Sequence, residues 1–95
     1  MTTQEELALQ IDVAQWEWLR AHNERGSLII VARDLDPAAV GARLAADDTI
    51  AIQGWLDAKL LGKPTAEQIA AWNKTPTLEF SILIISPFIL MQSRD

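Results

Sequence analysis

The apolar positions Val13, Trp16 and Leu19 recur at helical spacing, and Gly26 stands where a helix would be released. The pattern therefore predicts a helix near 13–25. A shorter helix near 4–11 precedes it, opened by Thr3 and Glu6 at capping-box spacing. Asp12 with Gln15 is a weaker version of that signal, and at the join of the two helices Ile11-Asp12-Val13 could also be extended. The continuous β-branched run at 28–32 predicts a buried strand. Asp36-Pro37 then opens a helix carrying Val40 and Leu44, because Asp caps free N–H groups and Pro at the first position has none to lose.

That helix is expected to end near Asp47-Asp48, where another begins. Ile52, Trp55, Leu56 and Leu60 form its one-sided apolar stripe, with Gly62 as the left-handed stop and Pro64 beyond. Thr65 with Gln68 forms a further capping box for a short helix holding Ile69 and Trp72, closed by Thr75-Pro76-Thr77. Last comes a strand from Phe80, apolar on both faces, then Ser86-Pro87, then Phe88-Ile89-Leu90-Met91. Pro87 cannot donate to a ladder, so it marks a bulge, a bend or an unpaired edge position.

The elements describe a small α+β domain in the order helix(-helix)-strand-helix-helix-helix-strand, with two or three strands packed on helices. Two strands alone are not an independently stable sheet. Either a second subunit completes it, which favours a homodimer, or the final segment folds into its own hairpin around Ser86-Pro87.

Composition narrows the function more than it names it. Ninety-five residues, 49% of them hydrophobic and 22% charged, fit one ordered domain over 1–95. With no cysteine, disulfides and thiolate chemistry are excluded. The net charge is −5, and the eight basic residues form no stripe, which argues against nucleic acid. The most apolar stretch, 80–91, is broken by Ser86-Pro87 and as a helix would span only ~18 Å, too little for a bilayer. The first residues lack a basic, apolar leader, so the expectation is a cytoplasmic protein with no membrane partner.

Candidate chemistry is sparse. His22 is the sole histidine and, near a helix end, is more simply a cap or a solvated side chain. The pairs Asp34/Asp36 and Asp47/Asp48 could hold a hard cation or divide acid and base roles. Capping already explains Asp36 and one of Asp47 or Asp48, and the pairs should lie about 16 Å apart at opposite ends of one helix. Trp16, Trp55 and Trp72 fall on apolar helical faces and are expected in the core. Trp18 lies off that stripe and reads either as an exposed interface anchor or as packing on the first helix. The glycines are isolated and the serines have no nucleophile-elbow context. A helix-turn-helix over 37–62 would lack a basic recognition helix.

Trp16 with Leu19, Gly26 before an apolar strand, Leu35-Asp36, Asp47-Asp48, Trp55-Leu56, Lys63-Pro64-Thr65, Trp72 and a Pro87-centred strand ending at Gln92 follow one another at spacings that carry a resemblance. Over roughly 13–92 the chain resembles the bacterial family catalogued as domain of unknown function 2288. The resemblance implies no reaction, ligand or cofactor. Some members carry Trp where Phe80 and Phe88 stand, so the resemblance carries no role over to this pair; Trp18, Phe80 and Phe88 are the interface candidates.

The reading that results is a non-enzymatic assembly or interaction module that needs no cofactor. It is expected to form a homodimer, with another protein as the further partner to consider. The alternative is a small metal-dependent enzyme or ligand-binding protein using the acidic helix-end residues Asp34, Asp36, Asp47 and Asp48.

Overall fold

The computed structural model, which describes residues 3–94, places the two apolar runs at the C-terminal end in the middle of a sheet. In chain order the elements are α1 (Thr3–Ala8), β1 (Asp12–Gln15), α2 (Trp16–Glu24), β2 (Leu28–Val31), α3 (Pro37–Ala45), α4 (Thr49–Asp57), β3 (Leu61–Gly62), α5 (Ala66–Asn73), β4 (Glu79–Ile85) and β5 (Phe88–Ser93). The strand order is β1-β4-β5-β2-β3, antiparallel throughout except for the parallel pair β2–β5. Among the described residues no helix is long and apolar enough to cross a membrane.

The α+β class stands, but the sheet has five strands rather than two or three. Ser86-Pro87 is the two-residue turn of the β4–β5 hairpin, with Ile85 paired to Phe88 and the peptide bond before Pro87 cis. The bend read from Pro87 is thus a strand reversal. β3 was not expected, and β1 only as the extended alternative for Ile11-Asp12-Val13. Residues 13–15 belong to β1 instead of the predicted helix, because Asp12–Gln15 pairs with Ile82–Glu79. A long-range ladder outweighs a local helical period that has only three apolar positions. α1 likewise stops at Ala8.

Both sheet faces are apolar because both are covered within one chain. On one face Leu28, Phe80, Ile82, Ile89 and Met91 pack with Trp16 and Leu19 of α2 and with Ile69 and Trp72 of α5. On the other, Val31, Leu61, Leu83 and Leu90 pack with Val40 of α3, and with Leu7, Ile52 and Trp55 from α1 and α4. The apolar strand faces that suggested a second subunit are therefore met by this chain's own helices.

Phe80 is buried, in edge contact with the Trp72 ring at 5.1 Å. Its expected place at an interface is corrected to the core, because its strand is central and its side chain faces α5.

Helix ends follow a common device. After α2, α3 and α4 the chain turns through a left-handed residue, Gly26 (φ 71°), Asp47 (φ 57°) and Lys59 (φ 62°). Each turn carries the same two backbone bonds, for instance Gly26 N–H to Asn23 O and Ser27 N–H to His22 O. Gly62, read as the stop of the fourth helix, instead pairs with Ile30 in β3, and Lys59 makes the turn three residues earlier. The reversal brings Leu61 opposite Val31, and that burial outweighs the left-handed strain at a lysine. Lys59→Gly should relieve that strain and raise stability by about 0.5–1 kcal/mol, read as a rise in thermal midpoint of several degrees.

The remaining caps follow the sequence. Asp36 Oδ1 accepts from Ala38 N–H at 2.9 Å, and Asp48 Oδ1 from Ala51 N–H at 3.1 Å. Thr65 and Gln68 close the reciprocal capping box at 3.1 and 3.0 Å.

Candidate functional site

α2 follows β1 without a loop, and this junction places the most exposed tryptophan beside the free edge of the sheet. Trp16 turns inward and is fully buried, its indole N–H donating to Asn73 Oδ1 at 2.8 Å. Two residues on, about 200° around the helix, Trp18 turns outward and is 45% exposed. It lies against the His22 ring, with centroids 4.5 Å apart, rather than packing on α1. The lone histidine thus buttresses an aromatic surface.

Trp18 forms one wall of a groove of about 480 Å³ that also takes in Asp12, Ala14, Glu17, Ile82 and Ile84. Ile84 is 54% exposed: it sits on the same sheet face as Phe80 and Ile82 but beyond the cover of α2 and α5. Val13, 41% exposed, points to the opposite face of β1. Exposed apolar side chains therefore lie on both faces of the strand edge, beside the charge of Asp12, the kind of residue that blunts sheet edges.

The backbone at this edge has a defined phase. Trp16 N–H donates to Leu78 O at 2.8 Å, so the alternation of an antiparallel ladder turns Asp12 and Ala14 toward β4. Val13 and Gln15 then direct their backbone groups outward. The Val13 N–H is held by the carboxylate of its neighbour, Asp12 Oδ1, at 2.8 Å. Gln15 N–H and Val13 C=O are the remaining outward donor and acceptor. Asp12 and Glu17 are the charged residues lining the groove, and both are acidic.

Phe88, 38% exposed, pairs with Ile85 at the hairpin end of β5, so it faces the opposite side of the sheet from Ile84 and is not in the lining of the Trp18 groove. Of the three aromatic candidates, Trp18 is the one that lines this groove.

The acidic candidates do not converge. Asp34 is exposed in the turn before α3, and Asp36 caps α3 while also accepting from Gln4 Nε2 at 3.2 Å. Asp47 is the left-handed residue after α3, and Asp48 caps α4. The nine residues of α3, about 13 Å of helix, separate the two pairs. Asp48 also meets Arg43 at 3.4 Å, an exposed ion pair that contributes little to stability. A shallow cavity of about 210 Å³ lies between Arg43 and Gln53. Among the described residues no three His, Asp or Glu side chains are grouped to hold a metal ion. Addition of Mg²⁺, Mn²⁺ or Ca²⁺ should accordingly leave the melting temperature within about 1 °C.

No curated protein matches the chain. Its structure is similar to the NMR solution structure of PA1075 from Pseudomonas aeruginosa, with a TM-score of 0.81 and 25% sequence identity, covering 100% of this chain and 88% of that one. The family model described as "Protein of unknown function (DUF2288)" matches residues 2–93, and the chain belongs to that family.

Proposed function

We propose that the protein is a non-enzymatic interaction module that receives a macromolecular partner in the groove between α2, β1 and β4. The observation that supports this reading is the exposure of Trp18 and Ile84 in one groove at a free sheet edge. Tryptophan supplies a large apolar contact with one polar N–H, the chemistry that dominates interface hot spots. Exposed apolar side chains grouped in a groove call for an explanation that scattered ones do not. By contrast, two of the four acidic candidates, Asp36 and Asp48, already use carboxylate oxygens as helix caps.

The test is a photo-cross-linking amino acid placed at exposed position 15, which lines the same groove and leaves Trp18 in place, and, as a control, at exposed position 74 on α5's C-terminal side, in cells that make the protein. A discrete adduct at 15 and none at 74 is the expected result. Absence of any adduct at 15 would sink the reading.

A further inference from the structure

Resting on that interaction reading, we infer that the occupant of the groove is an extended, basic segment of another protein that adds as a strand to β1. Three observations point the same way. The first is geometric. Val13 and Gln15 turn backbone groups away from β4, and an added strand can pair with Gln15 N–H and Val13 C=O.

The second is the distribution of apolar surface. Side chains of an added strand alternate between the two faces of the sheet. A residue on one face would enter the groove between Trp18 and Ile84, and its neighbours on the other face would lie beside Val13. The edge is thus built for a segment that is apolar on both sides for about three residues, each rising about 3.3 Å.

The third is charge. The groove carries Asp12 and Glu17 and no basic residue. A second copy of the chain would bring a matching pair of carboxylates to the same joint, in a protein of net charge −5. Like charges placed together at an interface oppose association, whereas Lys or Arg flanking an apolar anchor would be drawn to it. Asp12 also closes the edge to casual pairing by holding the Val13 N–H. A lysine arriving beside it would take up the carboxylate and leave that N–H for the incoming strand.

The probe is the capped peptide Lys-Lys-Val-Phe-Val-Lys-Lys, titrated into the whole protein and followed by amide NMR, with Glu-Glu-Val-Phe-Val-Glu-Glu as control. Phe would occupy the groove, and the lysines two residues to either side would reach Asp12 and Glu17. Saturable shifts at Val13, Gln15, Trp18 and Ile84 are expected, with the acidic peptide at least roughly tenfold weaker. Trp18→Ala should weaken the basic peptide roughly tenfold or more while leaving the other amides in place. The double change Asp12→Asn with Glu17→Gln should reduce the preference for the basic peptide to less than about threefold.

The inference is overturned if the basic peptide causes no saturable shift at these amides, or if both peptides bind equally. It is also overturned if the neutralised variant keeps the full preference. A concentration-dependent dimer in light scattering that Trp18→Ala abolishes would make a second copy the occupant and overturn it too. A cross-link at position 15 combined with any of these results would defeat the basic segment and leave the interaction reading standing; no cross-link would remove both.

Discussion

Trp16→Ala is expected to destabilise the protein by about 3–5 kcal/mol, enough to unfold much of a domain this small at room temperature. Trp18→Ala, two residues along the same helix, should change stability by no more than about 0.5 kcal/mol. Trp16 is fully buried, with its ring 4.9 Å from Trp72 and its N–H bonded to Asn73. Removing it leaves a cavity beneath α2 and α5 and an acceptor without its donor, so transfer and cavity costs add. Trp18 touches His22 and solvent, and its removal leaves no void in the core. Urea unfolding followed by circular dichroism separates the two, since three tryptophans remain in either variant. An equal loss for both changes would mean that Trp18 is structural and would remove the main support for an interaction surface.

Gly41→Val is expected to carry the second large cost, about 1–3 kcal/mol or more from overpacking. A Cβ at Gly41 would come within 2.9 Å of Leu83 Cδ2 and 3.2 Å of both Ile85 Cδ1 and Leu7 Cδ1. All three side chains belong to the core beneath α1 and α3, so none can withdraw without disturbing another. The glycine lets α3 lie close on β4 while α1 closes over it. Gly54 is the internal control: it is also helical, yet a Cβ there meets nothing within 4 Å. Gly54→Ala should therefore stabilise by about 1 kcal/mol through helix propensity alone. Thermal unfolding of the two variants, shifted in opposite directions, would establish that packing decides the sign. Destabilisation of similar size at both sites would contradict it.

The residues that make the family legible turn out to be architectural. Trp16 and Trp72 form one aromatic contact, Gly26 makes a left-handed helix stop, and Asp36, Asp48 and Thr65 are N-caps. Gln92, where the resemblance ends, donates through Nε2 to Ala32 O at 2.8 Å and Leu35 O at 2.7 Å. It ties the loop before α3 to the central strand. Landmarks of this kind transmit a fold and say nothing of an activity, which is why the resemblance was specific and functionally silent.

The candidate site was only partly visible in the chain. Trp18 stood out because its position broke the Trp16–Leu19 stripe, and a signal one residue wide was enough to find it. Ile84 had no such mark. It lies in the run 80–85 among four other apolar residues, and it is exposed because the helices stop short of that end of the sheet. Val13 was misread for a related reason, since apolar residues three apart suit a helix whether or not a strand partner waits elsewhere. The acidic pairs drew attention by composition, but they stand at helix ends, where backbone N–H groups claim Asp36 and Asp48 first.

Local physics was therefore readable from the residues alone: the caps at Asp36, Asp48 and Thr65, the release at Gly26, the buried strands and the α+β class. Each depends on a side chain and backbone groups within four residues of it, so no distant part of the chain is needed to evaluate it. Tertiary structure decided the rest. β1 and β3 exist because β4 and β2 offer them hydrogen bonds from 64 or more and 30 or more positions away. Helices on both sides cover the sheet, and its free edge at β1 leaves Trp18 and Ile84 facing outward. These are consequences of which surfaces meet, and the free energy of such contacts is set by burial across the whole molecule rather than by the spacing of residues along it.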